Sequence, residues 1–263
     1  MSRLPASGRK EDAMQIVPGL HEMGDKSGGY VRAFLVDDGT GLTLIDTLLD
    51  RGGKLVLDEL KLMGRQPSDI KRIVLSHAHQ SHLGGLAALR KLTGATVWSH
   101  DWEAPVIEGK RKVEVPKATT LWPQRPLQIY TLQVAFVLGL GMPPACDVDR
   151  NLKDGDRVGP LTVMHTPGHT PGSLSFYWPE KRALIVGDIV VTWPSPALGW
   201  PQITLDNAQN KASVGKLSDN ASAEIVCVGH GDTIVQGGSQ VMKDLVAGRE
   251  VHPVVARSEP ARA

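Results

Sequence analysis

The stretch Ser76-His77-Ala78-His79-Gln80-Ser81-His82 is the feature that most limits what this chain can fold into. It directly follows Arg72-Ile73-Val74-Leu75, which reads as a buried strand, and it precedes a helix-like run from Leu83 to Leu92. At a strand-to-loop exit, His77 and His79 can project to one side while His82 turns back from the helix start. Imidazole is the commonest biological ligand for zinc, and a tetrahedral site needs several converging donors. Such a motif demands a fold that brings more ligands to the same strand end.

Three further segments each end a predicted strand with a ligand-type residue. Thr166-Pro167-Gly168-His169-Thr170-Pro171-Gly172-Ser173 reads as a tight turn between strands with His169 at its tip, flanked by glycines that permit close backbone approach. Gly187-Asp188 follows the apolar run Ala183–Val186, and Gly229-His230-Gly231-Asp232 follows Ile225–Val228. Each alone is an ordinary turn sequence. Together, and in this order, they point to one metal centre.

Around these motifs the chain alternates strand-like and helix-like segments. Val31–Val36 and Leu42–Ile45 flank Asp37-Asp38-Gly39, a hairpin signal. Apolar residues at helical spacing run from Gly53 to Met63, and Lys211–Leu217 and Gln240–Leu245 also read as helical. Further strands are expected at 95–98, 161–164, 173–178 and 224–228. This pattern predicts α/β layering about sheets in a single domain spanning 14–249, with loose tails at 1–13 and 250–263. Residues 103–147, rich in proline and apolar residues, read as an insertion or lid with some helix.

Composition narrows the function classes. The net charge is +1, which gives no reason to expect nucleic acid or an anionic membrane as partner. No apolar run reaches the roughly 18 residues of a spanning helix, and the polar start lacks the apolar region of an export signal. Cys146 and Cys227 stand far apart in no metal-binding spacing and read as buried thiols of a reducing compartment, so a cytoplasmic location is expected. The remaining histidines carry no motif, and His165 reads as a packed residue or one that supports the site.

The motifs resemble the metallo-β-lactamase superfamily, whose pattern is an early Asp, His-x-His-x-Asp-His, a later His, a bridging Asp and a final His. Here Asp46, His77, His79, His82, His169, Asp188 and His230 match it. The resemblance implies an αββα sandwich with a metal site along one edge of its two sheets. It implies that His77, His79 and His169 hold one metal and His82 and His230 a second, with Asp188 bridging. Asp46 would then hydrogen-bond the histidine loop, or it is simply a strand-ending turn aspartate. The implied cofactor is Zn²⁺, one or two ions, with iron or manganese as alternatives. The implied reaction is attack of a metal-activated hydroxide on a small ester, lactone, thioester or amide carbonyl, with Asp188 as the catalytic residue that orients the nucleophile.

One position departs from that pattern: Ser81 stands where the family has a metal-2 aspartate. A neutral hydroxyl is a poor zinc ligand, so the second ion should bind more weakly, while serine suits the N-cap of the following helix. Trp193 and Trp200, in a proline-rich loop after Asp188, form a substrate wall or else pin that loop. The glyoxalase II type shares this core but adds a C-terminal helical domain, for which the stretch after His230 is short. Two other classes remain. A persulfide dioxygenase would hold one iron through His77, His169 and Asp188, and a metal-depleted binding protein would hold none.

Overall fold

The computed structural model describes residues 14–24, 26–114, 116 and 141–256. The expected tail at 1–13 and residues 257–263 of the expected tail at 250–263 lie outside the described residues, as do 115 and 117–140 of the expected lid. Two β-sheets form the centre. The first has seven strands in chain order: β1 (Met14–Val17), β2 (Leu20–Gly24), β3 (Arg32–Asp37), β4 (Leu42–Ile45), β5 (Ile70–Val74), β6 (Thr96–His100) and β7 (Arg150–Leu152). The second has five, ordered β12-β11-β10-β9-β8: β8 (Arg157–Val158), β9 (Leu161–His165), β10 (Leu174–Trp178), β11 (Ala183–Ile185) and β12 (Ile225–Cys227). The hairpin signal at Asp37-Asp38-Gly39 is realised, since β3 and β4 pair antiparallel around a turn in which Asp37 accepts the Gly39 N–H. β1 and β2 carry no strong alternation that marks them as strands in the sequence.

β11 and β12 are apolar throughout, β4 is broken only by Thr43, and β3 is apolar between its charged ends, because both faces of each sheet are covered. Along β3, Phe34 and Val36 enter the core between the sheets, where they meet Leu161, Val163 and Phe176 of the second sheet. Ala33 and Leu35 point the other way, against Val56 and Leu60 of α2 (Lys54–Leu62), which follows the short α1 (Ser27–Tyr30), and Leu86 and Leu89 of α4 (Leu86–Thr93). The second sheet repeats this on its outer face. There Leu184, Val226 and Val228 pack on Val214 and Leu217 of α6 (Asn207–Asn220) and Met242 of α7 (Gly238–Val246). Three hydrophobic layers thus separate helix, sheet, sheet and helix, the expected αββα sandwich. Each large side chain buried this way contributes about 1.5–3 kcal/mol.

Strand direction decides where function can sit. β4, β5 and β6 run parallel, so their C-terminal ends share one edge of the first sheet. In the second sheet β11 and β12 are parallel, and β9 and β11 are both antiparallel to β10, so β9, β11 and β12 also finish together. Every motif found in the sequence leaves one of these ends.

Three expectations need correction. The helix expected from Leu83 is two pieces, α3 (Gln80–Leu83) and α4, because the chain bends at Gly84 to touch the 48–49 backbone; a Cβ on Gly84 would lie 2.4 Å from the Leu49 carbonyl. Ser81 caps neither piece: His79 and Gly85 hold the N-cap positions, and Ser81 lies inside the first turn of α3. Nor does the end of the domain fray at residue 250, since Val255 bridges Ile234 and Ala256 donates to the Thr233 carbonyl. Of the expected lid, the described part includes the short helix α5 (Ala104–Ile107). Among the described residues no helix is long and apolar enough to cross a membrane.

Candidate metal centre

Asp188 is the hub. It sits in a single 3₁₀ turn, Gly187–Ile189, just after β11, and is 2 % exposed. Its Oδ2 lies 3.2 Å from His230 Nε2, 3.5 Å from His169 Nε2 and 3.6 Å from His77 Nε2, while its Oδ1 lies 3.3 Å from His82 Nε2. His79 joins through Nδ1, 2.9 Å from His169 Nε2. Two overlapping groups result, His77, His79, His169 and Asp188, and His82, Asp188 and His230. Two bonds of about 2 Å meeting at a tetrahedral angle place their donor atoms about 3.3 Å apart, which is the spacing found here.

The residues of this set leave strand ends, except His82, which sits on α3 just after the β5 loop, and local geometry aims them. Gly229 lets the β12 loop pass against the carboxylate, since a Cβ there would lie 2.1 Å from Asp188 Oδ1. The far nitrogens of four histidines are tied to the protein. His77 Nδ1 meets Ser76 Oγ at 3.0 Å, His169 Nδ1 meets Thr204 Oγ1 at 3.1 Å, and His230 Nδ1 meets the Gly29 carbonyl at 2.9 Å. His82 Nδ1 meets Asp46 Oδ2 at 2.9 Å. Such partners set the ring orientation and leave the other nitrogen for a cation. Asp46 also accepts the Ser76 N–H at 2.8 Å and the Ser76 hydroxyl at 2.7 Å. It does so from a left-handed backbone with φ 61°, strain of the kind that concentrates at functional sites.

The electrostatics fit a cation. His77 Nε2, His82 Nε2 and both Asp188 oxygens are buried and make no well-aligned hydrogen bond to the described protein. Such orphans are costly unless something else satisfies them. Burial, helped by the neighbouring imidazoles, holds His77 and His79 well below the usual histidine range, and burial lowers His169 to about 4. These rings are neutral at pH 7, with lone pairs to donate. Burial works against charge on His82, but the Asp188 and Asp46 carboxylates override it and raise His82 to about 10. Burial likewise opposes ionisation of Asp188, yet His230, His82 and His77 hold it well below the usual carboxylate range. His82 and Asp188 thus form an ion pair whose proton a cation bound there would displace.

All six residues expected as ligands therefore meet at one place, and Asp46 braces them. Ser81 is buried between His79 and His82 on α3. The two tryptophans separate. Trp200 is 4 % exposed, its ring centroid 4.4 Å from that of His230 and its Nε1–H donated to the Trp193 carbonyl, so it pins the loop rather than offering a wall. Trp193 keeps an accessible face and stacks on Tyr30 at 5.4 Å. His165 lies outside the cluster, stacked on His100 at 4.5 Å with Nε2 2.8 Å from the Pro171 carbonyl. Sequence reasoning missed Glu103, a buried carboxylate joining two ligand loops that burial pushes up to about 7 against the pull of its donors. The one available signal was its place just beyond β6, at the same sheet edge as the histidine motif.

Comparison with known proteins agrees with this geometry. Residues 27–230 match the sequence profile of the metallo-beta-lactamase superfamily. YflN of Bacillus subtilis (strain 168), a probable metallo-hydrolase, is 24% identical over 192 residues, covering 71% of this chain and 69% of YflN. A hydroxyacylglutathione hydrolase of Cereibacter sphaeroides (strain ATCC 17029 / ATH 2.4.9) is 26% identical over 204 residues, covering 75% of this chain but only 61% of that enzyme. Among solved structures, TTHA1623 in a di-iron-bound form aligns with a TM-score of 0.59 at 27% identity, over 79% of this chain and 90% of that one. With the profile spanning most of its length and its αββα layers in place, the chain belongs to the metallo-beta-lactamase superfamily.

Proposed function

We propose that this chain is a metal-dependent hydrolase that opens a small ester, lactone, thioester or amide at its carbonyl. The observation that carries this reading is the convergence of orphaned imidazole nitrogens on a buried, ionised Asp188. His77, His79, His169 and Asp188 would hold a first ion, and His82, His230 and the same Asp188 a second. A bound divalent cation supplies a Lewis acid that polarises a carbonyl oxygen and brings the pKa of water toward about 7. Asp188 presents an acceptor oxygen to the O–H of the attacking water, orients it, and relays its proton to the leaving group. With Ser81 beside it, the second place has one carboxylate rather than two, so the two ions are held unequally.

An imidazole-rich donor set favours zinc, while the di-iron form of TTHA1623 supports iron as the alternative and manganese fits less well. The accessible part of Trp193, braced by its stacking on Tyr30, would supply an apolar wall for the acyl or leaving group. Similarity to a hydroxyacylglutathione hydrolase supports a thioester among the candidates. Two free, buried thiols, Cys146 and Cys227, support a reducing compartment such as the cytoplasm. A second reading, a mononuclear iron persulfide dioxygenase, is favoured by one observation: His77 Nε2 and His169 Nε2 lie 3.6 and 3.5 Å from the same oxygen of Asp188, a two-histidine, one-carboxylate set.

The test is metal analysis of protein purified without chelator, with electron paramagnetic resonance, beside two assays. Zinc with turnover on an ester, lactone and thioester panel supports hydrolysis. Iron with oxygen uptake on a low-molecular-weight persulfide, and no hydrolysis, replaces it with the second reading.

A further inference from the structure

We propose that Glu103 is a positioning residue of the metal centre, a carboxylate that locks the His77–His79 loop to the His169 turn. The proposal rests on the metal-centre reading above. One oxygen of Glu103, Oε2, accepts the N–H of Ala78, the residue between His77 and His79, at 3.0 Å. The other, Oε1, accepts the Thr170 hydroxyl at 2.5 Å and the Gly172 N–H at 3.1 Å. Thr170 directly follows His169. The two loops leave different sheets, the first from β5 and the second from β9, and Glu103 itself stands just beyond β6. A single side chain thus fixes the distance across the sandwich between two ligands of one sheet and one ligand of the other.

The close fit is built from both sides. Gly172 has no side chain where a Cβ would lie 2.7 Å from Glu103 Oε1 and 2.8 Å from its Cγ. Glu103 is 1 % exposed, so its three donors are satisfied by it rather than by water. Three donors spread over both oxygens also specify a carboxylate and not an amide. A glutamine would aim its NH₂ group either at the Ala78 N–H or at the Thr170 and Gly172 donors, leaving a buried donor facing a donor. The His169 turn keeps its own bonds, the Ser173 hydroxyl accepting the Thr170 N–H at 3.0 Å. Without the clamp it is therefore expected to shift as a unit rather than unfold. The displacement needed to spoil a metal site is small, because first-sphere bonds tolerate only about 0.2 Å.

The experiment titrates Co²⁺ into metal-stripped wild type, Glu103→Gln and Thr170→Val. It reads affinity by chelator competition, the visible d–d absorption of bound Co²⁺, and folding by circular dichroism. Expected for Glu103→Gln is a native dichroism spectrum, a changed d–d spectrum and affinity for the first ion about 10- to 100-fold weaker, the range typical of groups that orient ligands. Thr170→Val should move the same way by less. A folded Glu103→Gln that binds Co²⁺ with wild-type affinity and spectrum would overturn the proposal. If that variant does not fold, Glu103→Asp and Thr170→Val carry the test, and wild-type affinity in both overturns it. Wild type that takes up no Co²⁺ sinks the metal-centre reading itself, a result separable from failure of the clamp.

Discussion

Nδ1 of His82 lies 2.9 Å from Oδ2 of Asp46, so a carboxylate at the end of β4 orients a histidine on α3 while the same carboxylate holds Ser76. The turn Asp46–Leu48 also accepts and donates around it, with the Thr47 N–H and hydroxyl both on the His82 carbonyl. Asp46→Asn keeps a residue that tolerates the left-handed backbone but loses the charge facing His82. Affinity for the second ion should fall about 10- to 100-fold with the fold intact, measured by metal content against chelator concentration. Unchanged retention of both ions would show that Asp46 is only a turn residue.

On the proposed two-ion reading, Ser81 should make the two metal places unequal. In mild dialysis against chelator the second ion should leave wild type first, while the first, held by three imidazoles, stays. Ser81→Asp should tighten the second ion. It should also lower the melting temperature of the stripped protein, since position 81 is buried and a carboxylate there lacks a cation. Opposite shifts of stripped and loaded melting temperatures are the expected pattern. Two ions leaving wild type together, with the affinity seen in Ser81→Asp, would mean another group already serves as the missing ligand.

His169 and His165 are four residues apart but do different work. His169→Ala should abolish hydrolysis, because it removes a donor 3.5 Å from Asp188. His165→Ala removes a stacked ring and its contact with Pro171, and should cost about 1 kcal/mol of stability with most activity retained. Turnover and thermal melts of both variants, side by side, check the distinction.

The stripped protein should be acid-sensitive in a defined window. His169 has a folded pKa of about 4 against the ordinary imidazole value of about 6.5, and His77 and His79 are lowered in the same direction. Below about 6.5 the unfolded chain therefore binds more protons than the native one, and stability falls as the pH drops toward 4. Asp188, lowered as well, adds to the loss at still lower pH. His82 acts oppositely: its contribution is full below 6.5 and is lost as the pH rises through about 10. Melting temperature against pH should show the acid limb in stripped wild type and a shallower one in His169→Asn.

What could be read from the chain alone was whatever chemistry and spacing concentrate locally. His77, His79 and His82 occupy one short stretch, and His169, Asp188 and His230 each follow an apolar run. Strand, turn and ligand type were therefore all visible without coordinates. The burial of both Phe34 and Leu35, on opposite faces of β3, likewise follows from a strand with both faces covered. The roles of Glu103 and Trp200, and the failure of Ser81 to cap a helix, were decided only when distant segments met. Glu103 has no motif, and its three donors come from residues 25 to 69 positions away. Gly84 breaks the helix because residues 48–49 pass against it, a contact no local propensity encodes. Local sequence specifies which groups could bind a cation; the packing of two sheets, whose co-directional strands end at one edge, decides that they meet.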